Sequence, residues 1–186
     1  MNRDSSQDNT GEELYRMFLS GDESAFEALV ALYRDNLTRF IYSYVNDARD
    51  AEDLMIDAFA ELAVSTKFNN RSSLKTYLFA IGRNLALRHL KKYRRSGVMS
   101  TEEMPEEPAE TAFTPEMDFL REDERLRLHT AMHKLKLEYR EILHLLYFEN
   151  MSYAQAGHIM KKSFTQVNNL AHRSKAALKK ILENSF

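Results

Sequence analysis

Nine basic residues stand between Thr66 and Arg95 with no acid among them: Lys67, Arg71, Lys75, Arg83, Arg88, Lys91, Lys92, Arg94 and Arg95. Phe68, Tyr77, Phe79 and Tyr93 are interleaved with them. Cations neutralise phosphates and aromatic rings stack on bases, so this stretch offers non-covalent capture of single-stranded or melted DNA. An ordinary solvated helix face usually mixes both signs of charge, and this one does not.

A second acid-free basic region runs from Lys161 to Lys180. Its outward helical positions are Thr165, Gln166, Asn168, Asn169, His172 and Arg173. Asn and Gln can bond adenine through both amide atoms in the major groove, and Arg does the same for guanine. Arg173, Lys175 and Lys179 can equally hold phosphates and fix register. Acids gather elsewhere, at Asp47, Asp50, Glu52, Asp53, Asp57 and Glu61, the last three at helical i, i+4, i+8 spacing. The run lacks the glycine and terminal glutamate of an EF-hand and the Glu-x-x-His of a carboxylate di-metal site, so it reads as a face for a basic partner. Compensation of a helix dipole accounts for the first of these acids but not for Asp57 and Glu61. His129 and His133 lie four apart without a zincin glutamate between them. There is no nucleophile elbow and no Gly-rich phosphate loop, and no catalytic residue, cofactor or metal is expected.

Helices must position these groups, because helical periodicity runs almost throughout. Thr10 and Glu13 have capping-box spacing, Gly21 and Asp22 read as a stop and a fresh N-cap, and Asn46 and Asp47 as another break. The longest apolar stripe is Phe26, Leu29, Val30, Tyr33, Leu37, Phe40, Ile41, Tyr44 and Val45. A third helix turns Ala51, Leu54, Met55, Ala58 and Leu62 inward, and a fourth Leu74, Tyr77, Leu78, Ile81 and Leu85. Gly97 ends this first module.

All three prolines, Pro105, Pro108 and Pro115, fall in the acidic stretch Thr101 to Asp118, which has no Lys or Arg. Such a segment cannot bury enough apolar surface to offset its ordering entropy and reads as a flexible linker. Beyond it, helical pattern resumes near Phe119. Ser152 with Gln155, and Ser163 with Gln166, give two further capping-box spacings around a short helix, a Lys161-Lys162 turn and a longer helix, the arithmetic of a helix-turn-helix. The expectation is an all-α chain of two small helical modules, 1–97 and 119–186, joined by a linker at 98–118.

A net charge of −2 excludes nothing, since distribution governs nucleic-acid affinity. The absence of cysteine excludes disulfides and thiolate zinc sites. The N-terminal residues lack a signal-peptide core and no apolar run reaches transmembrane length, so a cytoplasmic chain without membrane insertion is expected.

These residues resemble the extracytoplasmic-function group of bacterial sigma factors, the promoter-recognition subunits of RNA polymerase. Asp50-Ala51-Glu52-Asp53-Leu54 is similar to the helix that docks on the polymerase clamp. Phe68 to Ser73, Leu74-Lys75-Thr76-Tyr77-Leu78 and Ile81-Gly82-Arg83-Asn84-Leu85-Ala86 resemble the melting and minus-ten segment. Val167-Asn168-Asn169-Leu170 and His172-Arg173-Ser174-Lys175 resemble the minus-thirty-five recognition helix.

The resemblance implies core polymerase, promoter DNA and an anti-sigma regulator as partners. It assigns polymerase binding to Asp50, Glu52, Asp53, Leu54 and Asp57. Minus-ten contacts would come from Lys67, Asn69, Asn70, Arg71, Ser72, Tyr77, Arg83, Asn84, Arg88, Lys91 and Lys92. Minus-thirty-five contacts would come from Ser163, Thr165, Gln166, Asn168, Asn169, His172, Arg173 and Lys175. Ile56-Asp57 stand where the family usually has Gln-Glu, Tyr77 replaces a tryptophan, and Asn168 replaces a basic residue. Gly157 stands at a usual alanine and predicts a weakened helix, at about 1 kcal/mol. Two other readings are an autonomous helix-turn-helix regulator and a protein-binding helical adaptor.

Overall fold

The computed structural model describes residues 3–65, 68, 71–96 and 122–184, and every element among them is helical. α1 spans Arg3–Leu19, α2 Glu23–Val45, α3 Ala48–Ala63 and α4 Leu74–Ser96. α5 spans Glu122–His133, α6 Leu137–Leu143, α7 Tyr153–Met160 and α8 Phe164–Asn184. A π-helical turn, His144–Phe148, continues α6. Gly97, the acidic segment to Asp118 and Phe119 lie outside the described residues.

Helix boundaries follow local chemistry. Gly21 takes the left-handed φ of 101° that ends α1, and the Asp22 carboxylate accepts from the backbone N–H of Ser24 and Ala25 to start α2. Asn46, at φ 56°, closes α2, and Asp47 caps α3 through the Asp50 N–H. Thr10 is not a helix start. α1 begins at Arg3 because the polar residues before Thr10 include no Gly or Pro to stop it. Gly11, one residue on, lets α1 lie directly on the Tyr33 ring.

α2 is the central post of the first bundle. Leu29, Leu37, Phe40 and Ile41 are fully buried among α3 and α4 residues such as Ala58, Leu62, Leu74 and Leu78. Each large apolar side chain so buried contributes about 1.5–3 kcal/mol. A Cβ at Gly82 would lie 2.9 Å from Leu37 Cδ1, so α4 crosses α2 closely because residue 82 has no side chain. Tyr15 Oη donates to the Leu62 carbonyl (3.2 Å) and ties α1 to the end of α3.

In the C-terminal helices, Ile142, Leu145, Ile159 and Val167 form the centre. Ser152 and Gln155 complete a reciprocal capping box at the start of α7, and Lys161 makes the turn to α8 in the left-handed conformation, φ 56°. Beside its cost in helix propensity, Gly157 meets a packing requirement. A Cβ there would stand 2.8 Å from the Lys162 carbonyl oxygen, so the glycine allows the tight turn to fold back. The two halves lie against one another, α7 on α4 and α6 on α2.

Candidate nucleic-acid and partner interfaces

The amphipathic pattern of α3 decides its exposed face. Ala51, Leu54, Met55, Ala58, Phe59 and Leu62 are buried, which turns Glu52, Asp53, Asp57 and Glu61 to solvent with Ile56 (60% exposed) among them. Leu54 faces the core, so it supports this acidic surface from beneath. Asp50 is half-buried, with Oδ2 3.0 Å from His89 Nε2 of α4. Glu61 meets Arg88 at 3.3 Å, joining the acidic face to the basic one.

Lys67, Asn69 and Asn70 lie outside the described residues. Arg71 is exposed and Ser72 half-buried just ahead of α4. Tyr77 is fixed in two ways: its hydroxyl shares a 2.7 Å hydrogen bond with Ser65 Oγ, and its ring lies 5.4 Å from that of Phe68. Arg88, Lys91 and Lys92 are exposed on α4. Asn84, Arg88 and Lys91 line an open groove that Lys161 enters from the C-terminal half.

Arg83 departs from its neighbours. Its Nε donates to Glu141 Oε1 of α6 at 2.5 Å, and its side chain is 15% exposed. Burial alone would weaken the guanidinium as a base, but the bond to Glu141 raises it above its ordinary value. Lys75 is more deeply buried. Its Nζ donates to the Glu149 backbone carbonyl (2.9 Å) and lies 3.4 Å from the Glu149 carboxylate. Asn36 Nδ2 donates to that carboxylate at 3.1 Å, and His144 Nε2 stands 3.5 Å away. Burial would raise the Glu149 carboxyl, yet His144, Lys75 and Asn36 together hold it below its ordinary value. Sequence reasoning missed Lys75, Glu141 and Glu149 as a set. The available signal was an acid at each end of the stretch 142–148, which is apolar and aromatic but for His144.

On α8, Val167, Leu170, Ala171 and Ser174 are buried, leaving Thr165, Asn168, Asn169, His172 and Arg173 on one exposed face. Ser163 and Gln166 are used by the helix itself: Ser163 Oγ accepts from the Gln166 N–H (3.3 Å) and Gln166 Oε1 from the Ser163 N–H (2.8 Å). An amide whose oxygen serves a cap cannot grip adenine with both atoms. Lys175 Nζ sits 5.0 Å from the Tyr147 ring centroid, a cation–π contact at the rim of this face. Phe164, 66% exposed, opens the helix beside Tyr153.

The arrangement is thus an exposed acidic face, a basic aromatic helix and a helix-turn-helix in chain order. Residues 29–96 match the model of Sigma-70 region 2, and residues 125–178 that of Sigma-70, region 4. The RNA polymerase sigma-H factor of Pseudomonas aeruginosa is 27% identical over 182 residues, covering 92% of this chain and 93% of that protein. The ECF RNA polymerase sigma factor SigW of Bacillus subtilis is 26% identical, covering 88% and 92%. In fold, the chain is similar to CnrH in its complex with the cytosolic domain of CnrY, with a TM-score of 0.70 at 22% identity over 95% of this chain and 99% of that one. It is also similar to the sigma factor RpoE of Bartonella quintana, crystallised with the anti-sigma factor NepR, with a TM-score of 0.66 at 23% identity over 85% and 96%.

Proposed function

The chain belongs to the sigma-70 family and its extracytoplasmic-function group, and on that footing we propose that it joins core RNA polymerase and directs it to promoters. The observation that carries this reading is the order of the matches. A region 2 helical bundle with an acid-free basic helix precedes a region 4 helix-turn-helix with an exposed polar face.

In this mechanism Glu52, Asp53 and Asp57, backed by Leu54 and with Asp50 at the edge, dock on a basic surface of polymerase. Exposed acids on a rigid helix present charge without the cost of desolvating it in the free protein. The segment around Lys67 to Ser72, with Tyr77 behind it, receives an unstacked base, at an unstacking cost of a few kcal/mol. Asn84, Arg88, Lys91 and Lys92, with Arg83 once released, hold the backbone of the melted strand. Asn168, Asn169, His172 and Arg173 read the upstream major groove, with Thr165 beside them and Lys175 on phosphate. Ser163 and Gln166 contribute by holding the helix N-terminus in place. The protein acts by binding and not by catalysis.

The module limits 1–97 and 119–186, with the acidic joining segment 98–118, suit this division of labour. The proposed place of action is the cytoplasm, where core polymerase works; no helix among the described residues is long and apolar enough to cross a membrane. An anti-sigma partner is part of the proposal, by analogy with the complex in which RpoE was solved.

Run-off transcription with bacterial core polymerase over a genomic promoter library tests the reading. Defined transcripts that appear only with this chain are the expected result. Their absence, with sequence-specific duplex binding retained, would transfer the chain to autonomous regulators.

A further inference from the structure

α2, α5 and α6 enclose a cavity for which promoter recognition has no use. Arg39 lines it from α2, His129 and His133 from α5, and Arg140 from α6. Leu128, Met132 and Phe148 supply an apolar wall. The space open to water-sized groups is about 50 Å³, where one water needs about 10–15 Å³, so a molecule of a handful of heavy atoms fits.

The charge of the lining is one-sided. Two guanidinium groups belong to it and, among the described residues, no Asp or Glu does. Arg140 is only 8% exposed, yet its Nη1 donates to nothing better than the His133 carbonyl at 3.4 Å, and its Nε has no acceptor. Arg39 Nη2 donates to Asn36 Oδ1 at 2.6 Å, but Arg39 Nε is buried without an acceptor as well. The buried acids nearby are already paired, Glu141 with Arg83 and Glu149 with Lys75. Burial lowers the Arg140 guanidinium from its ordinary value, and only Tyr44 acts the other way. A buried cation without a counter-charge is among the costliest groups a fold can carry, and buried N–H groups are rarely left unpaired.

We propose that this cavity binds a small monocarboxylate, with Arg39 and Arg140 as its oxygen-binding groups and the wall of Leu128, Met132 and Phe148 against its short apolar body. A carboxylate has two oxygens to share between two guanidiniums, and such charge-assisted bonds are the strong ones. A phosphate carries further oxygens that would lie against apolar side chains with no donor to meet them. A divalent metal on the histidine pair would face the same uncompensated cations. Arg39 comes from the N-terminal half and Arg140 from the C-terminal half, so the bound acid adds to the stability of the whole chain.

Thermal denaturation of the full-length protein, at constant ionic strength, tests the site with sodium isobutyrate and acetate. Chloride and phosphate are the anion controls, and isobutyramide has the shape of isobutyrate without its charge. Isobutyrate at ten times its Kd should raise the melting temperature by about 3–5 °C. Acetate, with less apolar surface, should need a higher concentration, and the three controls should do little. Arg140→Met, which removes the charge and keeps the length, should weaken isobutyrate binding about tenfold or more. An equal rise with phosphate or isobutyramide, no rise with isobutyrate, or an unchanged response in Arg140→Met would overturn the proposal.

A second readout needs no variant and decides the matter should Arg140→Met not fold. Burial first, then neighbouring charge that includes Arg140, holds His129 and His133 below the ordinary histidine value. A carboxylate on Arg140 offsets that charge and favours the protonated ring. The His133 imidazole resonances at about pH 5.5 should therefore move toward their protonated positions as isobutyrate is added and stay in place with isobutyramide. Resonances that isobutyrate leaves unmoved would count against the site.

Discussion

Lys75 and Glu149, 74 residues apart in sequence, face each other with side chains 4% and 0% exposed, and neither has water to fall back on. Removing one partner should therefore hurt far more than removing both. Glu149→Ala should cost about 3–5 kcal/mol, whereas Lys75→Met with Glu149→Leu should be close to neutral. Urea denaturation of the three chains, followed by circular dichroism, gives the comparison directly.

Asp53→Arg reverses charge at the middle of the acidic α3 face without touching a buried atom. Loss of core polymerase binding in pull-down, with an unchanged melting temperature, is the expected outcome. Full binding by this variant would remove α3 as the docking element.

On α8 the two classes of contact should separate. Asn169→Ala should lose about 1–3 kcal/mol on the preferred upstream sequence and little on random duplex. Lys175→Ala, which removes a phosphate contact, should weaken both alike and reduce the salt slope by about 1. Polymerase-bound gel shifts at several salt concentrations distinguish these patterns.

Gly157→Ala tests the turn of the helix-turn-helix. Helix propensity predicts a gain of about 1 kcal/mol, but the new Cβ would meet the Lys162 carbonyl oxygen at 2.8 Å. Backbone cannot rotate away as a side chain can, so a net loss of about 1–3 kcal/mol is expected in thermal denaturation.

His133 makes stability fall in mild acid. Burial, then His129 and then Arg140 lower it from 6.5 to about 4. Its Nε2 stands 3.0 Å from His129 Nε2, a hydrogen bond that a second proton would destroy. Because the folded value lies below the unfolded one, the contribution is complete above about pH 6.5 and disappears as pH falls towards 4. Discounted for solvent screening, the effect is on the order of 1 kcal/mol. His133→Gln should flatten the dependence of the urea midpoint between about pH 7 and 5.

The helical class, the breaks at Gly21 and Asn46, and the acidic and basic faces were legible in the sequence because each depends on residues close along the chain. Asp22 and Ser152 cap as the sequence reading expects, and Asp47 caps α3 at the break expected there. Thr10 misled, since Thr and Glu three apart satisfy the capping pattern wherever they fall. The pairing of Arg83 with Glu141 was not legible. A cation in an acid-free run reads as exposed, and only the packing of α6 on α2 reveals a carboxylate 58 residues on. Gln166 shows a related limit: its type suits base reading, but its neighbour Ser163 claims its oxygen first.

The π-helical turn at His144–Phe148 carries one residue more than an α-helical register would need. Each α-helical residue turns the chain by about 100°, so the extra one sets the phase at which Glu149 leaves the helix and meets Lys75. The mating of the two halves thus depends on segment length as well as on residue type. A single deletion within 144–148 would preserve most of the composition and still rotate the acid out of alignment. Substitutions at Leu146 or Tyr147 should therefore be tolerated far better than removal of either, a contrast that urea denaturation would report.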